Sequence, residues 1–324
     1  MIKLDDTSKK LLDKIQKDLP LCPNPYAEIA KECGLSEQKT IDKLKYLIDN
    51  NIIREISVLL NADKLGYHST LVAAKVNKEN LEKVVKIINS HSGVTHNYLR
   101  NYEYNVWFTL TIKKGKEFSN ELATMFSEVS VDKYIILPSI KTFKIEVNFS
   151  FLNYKNEVQK RNFKFKKKEL GALDKQILNA LQSNLELIEN PWEQLIKTLN
   201  IMPDKLFKTI SELKDAGVIK RISGVLQHRN AGYKANGMVC FNISEENIES
   251  AGKKASEFTE VSHCYQRPTY PDWQYSLFCM VHSVSKAKCD GIIKNISKKI
   301  KCIDYIVLYS EKEFKKERTK YILE

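Results

Sequence analysis

The first third of each half of the chain carries hydrophobic residues at helical spacing. An apolar stripe on the first predicted helix comprises Leu11, Leu12 and Ile15. Two further helical segments follow in residues 25–52, and Ser36 is a favourable N-cap for the second of them, which Asn50 and Asn51 end. A strand-like run, 53–60, comes next. This order predicts a winged helix-turn-helix.

The remainder of each half alternates strand-like and helix-like segments. In the first half these are LVAAKV, a helix over 78–91, VTHNYLR, YNVWFTLTI, a helix over 116–129 and one long strand over 131–145. The second half gives GMVCFNI, a helix over 245–258, VSHCYQR, YSLFCMVHSV, a helix over 285–300 and IDYIVLYSEKEF. The order β-α-β-β-α-β predicts a ferredoxin-like antiparallel sheet with helices on one face. The tail over 312–320 reads as solvated charge.

The two halves are copies of one module. At an offset of 166 residues, DNNIIREIS returns as DAGVIKRIS, and at 167 THNYLR returns as SHCYQR. The fold class is therefore α+β, a tandem duplication of a winged helix-turn-helix plus a ferredoxin-like βαββαβ module. The predicted domains are winged helix-turn-helices at 1–60 and 169–226, ferredoxin-like domains at 61–154 and 227–324, and a basic linker at 155–168.

Composition indicates the class of protein and the cellular compartment. The 324 residues are 43% hydrophobic and 28% charged, typical of a globular protein. We expect neither a membrane span nor a signal peptide, because long apolar runs are missing and the first residues include two acids. Seven cysteines without a CxxC pair favour a reducing compartment and argue against structural zinc, so we expect a cytoplasmic protein.

Net charge points to an anionic partner. The chain carries +12, and half of that excess lies in the linker 155–168. Such a run is typical of a solvated linker, although a nucleic-acid patch or part of a ligand-binding wall is also consistent with it.

A repeated H-x-Y-x-R motif is the strongest chemical signal. Alternate residues of a strand share a face, so three side chains of each copy project together: His96, Tyr98 and Arg100, then His263, Tyr265 and Arg267. They combine an imidazole that can transfer a proton near neutral pH, a phenolic hydroxyl, and a guanidinium that can bind a carboxylate through two hydrogen bonds. The alternative is an exposed polar strand face, which recurrence in both copies makes less favourable.

Aromatic residues follow each motif. The candidates for a pocket wall are Tyr104, Trp107, Trp273 and Tyr275. Such residues equally suit core packing between strands. Beside a His/Tyr/Arg face, they would wall a site for a large flat ligand that carries carboxylates.

The module resembles the Lrp/AsnC regulators, which bind DNA through the winged helix. The predicted recognition helices, 36–50 and 202–217, each have zero net charge. Because phosphate neutralisation supplies most non-specific affinity, this neutrality argues against a DNA-binding regulator. We keep that function as an alternative.

A more specific resemblance covers nearly the whole chain. The segments GVTHNYLRNYEYNVWFTL, VSHCYQRPTYPDWQYSLFCMVHS and VLQHRNAGYKANGMV look like siroheme decarboxylases, which usually have two related subunits. Each half resembles a different subunit, so the chain looks like a fusion of both. The resemblance implies a carboxy-lyase that converts siroheme to 12,18-didecarboxysiroheme, for heme d1 synthesis or the alternative route to heme. A non-enzymatic heme-binding sensor is the other alternative.

The expected chemistry assigns roles to these residues. His96 or His263 would protonate the methylene carbon as carbon dioxide leaves, with Tyr98 or Tyr265 steadying the carboxylate or the imidazole. An imidazole also binds iron, so His263 is alternatively an axial ligand of the siroheme iron. The predicted substrate-binding residues are Arg100, Arg267, Arg229, His228, Tyr104, Trp107, Trp273 and Tyr275.

The remaining expectations concern partners. We expect siroheme as the partner, no nucleic acid and no membrane. No cofactor or intrinsic metal is expected to be required, because iron enters with the substrate. A homodimer of the fused chain, and one or two working sites, both stay open. His282 reads as an ordinary sheet residue, and His91 as a structural helix end.

Overall fold

The structure is a computed structural model that describes residues 4–145, 166–226 and 235–323. The elements of the first copy are α1 Asp6–Ile15, α2 Pro25–Cys33, α3 Glu37–Asp49, β1 Ile53–Leu60, β2 Tyr67–Lys75, α4 Leu81–Ser90, β3 Val94–Arg100, β4 Val106–Lys113, α5 Phe118–Met125, β5 Lys133–Pro138 and β6 Lys141–Ile145. Those of the second are α6 Ala172–Leu181, α7 Glu193–Leu199, α8 Pro203–Asp215, β7 Ile219–Leu226, β8 Ala235–Asn242, α9 Ile248–Ser256, β9 Val261–Gln266, β10 Leu277–Ser283, α10 Lys286–Ile300 and β11 Asp304–Lys316.

The chain divides into two compact units. One contains 1–65, 148–231 and 321–324, and the other contains 66–147 and 232–320. The two winged helix-turn-helix segments thus share one unit and the two ferredoxin-like segments share the other. The predicted domain boundaries remain predictions.

Capping fixes the helices of the first unit. The Ser36 hydroxyl accepts a hydrogen bond from the Lys39 amide at 3.3 Å, as predicted for the start of α3. The turn before α3 contains a left-handed residue, Gly34 (φ 70°), and the equivalent turn before α8 contains Asn200 (φ 48°). Strands β1 and β7 pair with each other in antiparallel register, so each wing completes a two-stranded sheet with the wing of the other copy.

The second unit is built on one nine-stranded sheet. The order is β5-β2-β4-β3-β11-β8-β10-β9-β6. Within each copy the strands follow the 4-1-3-2 order of a ferredoxin-like fold, which confirms the predicted fold class. Two clusters of buried apolar residues lie on the helix-covered face, one under α4 and α5 and one under α9 and α10.

The two copies exchange their C-terminal strands. Strand β6 of the first copy pairs with β9, and the last half of β11 pairs with β3. The exchange is fastened reciprocally: Lys144 donates to the carbonyl of Phe258 at 2.9 Å, and Lys315 to that of Asn89 at 2.7 Å. The first part of the tail forms the end of this strand, where Lys312 and Glu313 are exposed, as predicted for solvated charge, whereas Lys315 is partly buried.

The predicted single strand over 131–145 is interrupted. It ends as β5 at Pro138 and restarts as β6 at Lys141. Pro138 has no amide hydrogen to continue a ladder, and the chain leaves β2 to join β9, where the Ile140 amide donates to the Gln266 carbonyl at 2.9 Å.

Candidate active site

The two H-x-Y-x-R motifs lie on the face of the sheet that the helices leave uncovered. Strand β3 carries the first and strand β9 with its following residue carries the second. The intervening residues face the helices: Asn97 donates to the side chain of Asn89 in α4, and Cys264 packs in the core under α9. Because side chains alternate along a strand, His, Tyr and Arg of each motif share the opposite face, as predicted.

The same ring arrangement occurs in both copies. The His96 and Tyr98 rings are 6.3 Å apart between centroids and tilted by 32°, and the His263 and Tyr265 rings are 5.9 Å apart and tilted by 31°. The guanidinium carbon of Arg100 lies 5.4 Å from the centroid of the Tyr98 ring, and that of Arg267 lies 4.9 Å from the centroid of Tyr265. Each motif therefore forms one stack in which a cation covers a phenol ring.

Both arginines connect the copies. Arg100 is 6% exposed and donates from Nη1 to the carbonyl of Leu308 in the second copy at 2.7 Å. Arg267 donates to the carbonyl of Leu137 in the first copy. Burial lowers the pKa of each guanidinium to about 10, so both are cations at neutral pH.

These cations have unused hydrogen-bonding capacity. Nε of Arg100 and Nε of Arg267 are buried and have no hydrogen-bond partner among the described residues. Among the described residues, the groups that affect the pKa of either guanidinium include no carboxylate. Both lie close enough to the Cys240 thiol on β8 to affect its pKa, which burial nevertheless raises. Two partly desolvated cations thus converge on one region, which suits an anionic ligand.

The histidines are held through Nδ1. The Thr95 hydroxyl lies 2.9 Å from Nδ1 of His96, and the Ser262 hydroxyl lies 2.8 Å from Nδ1 of His263. Burial, reinforced by the charge of Arg267, lowers the pKa of His263 to about 4. His263 is therefore neutral near pH 7.

The predicted aromatic wall is largely buried. Tyr104, Trp107 and Trp273 are at most 1% exposed and belong to an apolar cluster on the helix-free face that both copies build. Tyr275 packs at its edge, with its ring centroid 5.1 Å from that of Trp273. This burial favours the packing interpretation for the two tryptophans, and contact of any of the four with a substrate stays a prediction.

The longer loop of the second copy closes over the first copy. Tyr270 donates to the carbonyl of Ile136 at 2.5 Å, and the carboxylate of Asp272 accepts from Tyr104 and from Lys133, both at 2.7 Å. Trp273 of the same loop contacts three aromatic rings of the first copy, those of Tyr102, Tyr104 and Trp107. The shorter loop over 101–105 leaves the copies unequal here.

The other candidates are dispersed. His228 and Arg229 lie outside the described residues, so their predicted contact with substrate stays a prediction. His91 ends α4 and its Nε2 lies 2.9 Å from the carboxylate of Glu121, which agrees with a structural role. His282 lies in strand β10, as predicted, and its Nε2 is 2.7 Å from the Ser262 hydroxyl. The self-comparison gave no signal for it, because Thr111 stands at the matching position.

The described residues offer neither a metal cluster nor a membrane-spanning helix. Among the described residues, no group of three or more His, Cys, Asp or Glu side chains is placed to hold a metal ion. All seven cysteines are free thiols. In the described ranges, no helix has the length and apolar character that crossing a membrane requires. That no cofactor is required stays a prediction.

The fold and the duplicated site define an AsnC-like module present twice in one chain. Two family models agree: the AsnC-like ligand binding domain matches residues 64–144 and 230–315, and the siroheme decarboxylase NirDL-like HTH domain matches 8–54 and 174–220. The siroheme decarboxylase of Hydrogenobacter thermophilus is 35% identical over 319 residues, which is 97% of this chain and 95% of that protein. The chain belongs to the siroheme decarboxylase family.

Two further comparisons support the fused organisation. The siroheme decarboxylase alpha subunit of Desulfovibrio desulfuricans is 39% identical over 150 residues, which is 46% of this chain and 86% of the subunit. The crystal structure of the siroheme decarboxylase NirDL in co-complex with an iron-uroporphyrin III analogue matches with a TM-score of 0.75 and 31% identity, covering 98% of this chain and 94% of that one. The resemblance to this family is thereby confirmed.

Proposed function

We propose that this chain is a carboxy-lyase that removes carbon dioxide from two acetate side chains of siroheme, giving 12,18-didecarboxysiroheme. The observation that carries the proposal is the twice-repeated stack of His, Tyr and a buried Arg on the helix-free face of one sheet, in which Nε of each Arg has no hydrogen-bond partner among the described residues. The names of the relatives and the tetrapyrrole in the matched crystal structure support the same substrate class.

The arginines supply binding. Siroheme carries several carboxylates, and a guanidinium retains planar N–H donors for a carboxylate after one is used on a backbone carbonyl. Because Arg100 and Arg267 have already lost much of their hydration, an anion that reaches them gains a stronger interaction than it would at an exposed lysine. Carboxylates of siroheme are therefore the groups we assign to them.

The chemical step requires one proton per carboxylate lost. The bond between the methylene carbon and the carboxylate carbon breaks, carbon dioxide leaves, and the electron pair stays on the methylene carbon, where the conjugated macrocycle delocalises it. A proton then converts that carbon to a methyl group. His96 or His263 is the proposed donor, and the adjacent Tyr98 or Tyr265 is proposed to steady the carboxylate or the imidazole. A neutral imidazole that gives up its N–H proton becomes an imidazolate, which regains a proton from water before the next carboxylate is lost.

Iron enters with the substrate, and no resident metal or other cofactor is proposed. Coordination of that iron by His263 is the alternative role of this residue. Seven free thiols suit action in the cytoplasm. The fusion supplies both subunit types in a one-to-one ratio, and a size measurement of the purified protein decides whether two chains associate.

The experiment is anaerobic incubation of the purified chain with siroheme, followed by mass spectrometry. We expect the loss of two carboxyl groups, abolished in the double variant His96→Ala/His263→Ala. The matched control is His91→Asn, which removes a histidine of the same unit that lies off this face. Siroheme binding without a mass change would overturn the proposal in favour of a sensor, and specific DNA binding with no siroheme binding would overturn it in favour of a regulator.

A further inference from the structure

We propose that Ser262 and His282 form a hydrogen-bond chain that fixes the ring orientation and the tautomer of His263, so that the second copy presents Nε2–H of His263 to the substrate. His282 is a positioning residue in this arrangement. The contacts of Ser262 with both histidines are observed, whereas the polarity of the hydrogen-bond chain and its catalytic consequence rest on the proposed decarboxylase function.

The hydrogen-bond chain from His282 through Ser262 to His263 is direct and buried. The Ser262 hydroxyl lies 2.8 Å from Nδ1 of His263 and 2.7 Å from Nε2 of His282. Ser262 is 6% exposed and His282 is 7% exposed. The backbone amide of His282 donates to the carbonyl of Glu260 at 3.0 Å, which fixes the strand at this point. Water therefore competes little for these polar atoms. Which of the three side chains donates and which accepts is consequently decided among the side chains themselves.

A β-bulge creates the geometry. Met280 faces His263 across β9 and β10, but the next residue, Val281, faces Val261, so Ser262 is the extra residue of the bulge. The first copy has the same irregularity, with Thr95 as the extra residue. A bulge re-aims a side chain that regular alternation would turn to the opposite face. In both copies the re-aimed side chain is a hydroxyl that contacts Nδ1 of the motif histidine.

The third member differs between copies. In the first copy the Thr95 hydroxyl also lies 2.9 Å from the Thr109 hydroxyl, whereas in the second the Ser262 hydroxyl meets an imidazole. A hydroxyl rotates and serves as donor or acceptor, but a neutral imidazole nitrogen is one or the other. The tautomer of His263 in the second copy is therefore constrained more strongly than that of His96 in the first.

The polarity decides what His263 can do. If Nε2–H of His282 donates to Ser262, then Ser262 donates to Nδ1 of His263, whose proton must lie on Nε2. The reverse polarity would place a lone pair on Nε2 of His263, as an iron ligand requires. We assign the first polarity, because a proton donor to the methylene carbon needs Nε2–H. The Arg267 cation beside this ring and its burial keep it neutral, so the tautomer is the property that matters.

Paired variants test the chain. Ser262→Ala and His282→Leu remove it, whereas Ser262→Thr keeps a hydroxyl, as Thr95 does in the first copy, and His282→Gln keeps an N–H donor. Ring ¹⁵N resonances of labelled, substrate-free protein report the tautomer of His263. We expect Nε2–H in the parent, in Ser262→Thr and in His282→Gln, and loss of that single tautomer in Ser262→Ala and His282→Leu.

Kinetics with siroheme supply the second readout. We expect kcat to fall about ten- to a hundredfold in Ser262→Ala and His282→Leu with KM within about twofold, and near-parent kcat in the two conservative variants. Unchanged ¹⁵N resonances and kcat in Ser262→Ala, or a parent His263 protonated at Nδ1, would overturn the inference. If the parent releases no carbon dioxide, the decarboxylase function fails instead, and the ¹⁵N spectra still decide the chain.

Discussion

Nη1 of Arg100 lies 2.7 Å from the carbonyl oxygen of Leu308, which belongs to the other copy of the module. Arg267 makes the reciprocal contact with Leu137. Because residues 137 and 308 occupy matching positions, the two motifs are tied together by one pair of equivalent contacts. Each motif therefore depends on a backbone carbonyl of the other copy for one hydrogen bond of its arginine.

Loss of either guanidinium should weaken siroheme binding. We expect Arg100→Met and Arg267→Met each to raise the Kd by about tenfold or more, because a buried cation that meets a carboxylate contributes roughly 1.5–3 kcal/mol. Absorbance titration of siroheme measures this. The matched control, Arg54→Met, removes an arginine that pairs with Glu55 in the other unit and should leave the Kd unchanged. Equal affinity in all three variants would refute the assignment.

The low pKa of His263 predicts acid sensitivity. In the unfolded chain the imidazole takes up a proton near pH 6.5, but in the folded protein it does so only near pH 4. The unfolded state therefore binds more protons between these values, so stability falls as pH falls through this window, by up to about 3 kcal/mol from this group. Unfolding free energies of the parent and of His263→Asn, measured from pH 7 to pH 4, should diverge at high pH and converge towards low pH. Parallel profiles would contradict this.

Substitutions at Trp273 test whether its side chain serves core packing or stacks on the substrate. Because its side chain is fully buried against Tyr104 and Trp107, Trp273→Ala should destabilise its unit by about 3–5 kcal/mol. Trp273→Phe should cost less. Denaturant unfolding gives the values. A variant that folds with parent stability but loses siroheme binding would instead assign the ring to the substrate.

Gly252 tests the strand exchange. A Cβ at this position of α9 would overlap the ring of Phe143 on β6, whereas a Cβ on Gly291 of α10 would meet no atom within 4 Å. We expect Gly252→Ala to destabilise the protein by about 1–3 kcal/mol and to speed amide exchange in β6. Gly291→Ala should instead stabilise it by about 0.5–1 kcal/mol, since alanine is the better helix former. Similar effects of both substitutions would show that β6 does not pack on α9 in this way.

The sequence by itself determined the type and order of most elements, the duplication and the shared face of each His-Tyr-Arg motif. These follow from local periods of 3.6 and 2 residues and from repetition along the chain, which need no knowledge of long-range contacts. The segments 116–129 and 245–258 were predicted longer than the helices at Phe118–Met125 and Ile248–Ser256, because fraying ends carry no strong signal.

Only the tertiary structure decided which strands are exchanged between the copies and which aromatic residues are buried. It also decided that Ser262 and His282 are the residues hydrogen-bonded in line with His263. Each depends on pairing between residues far apart in the chain, such as β6 with β9 or Trp273 with Trp107. The contact of Ser262 with His282 arises from a one-residue bulge, which shifts the register without altering composition. Alternation along a strand predicts a face, but only the register between strands determines which side chains meet there.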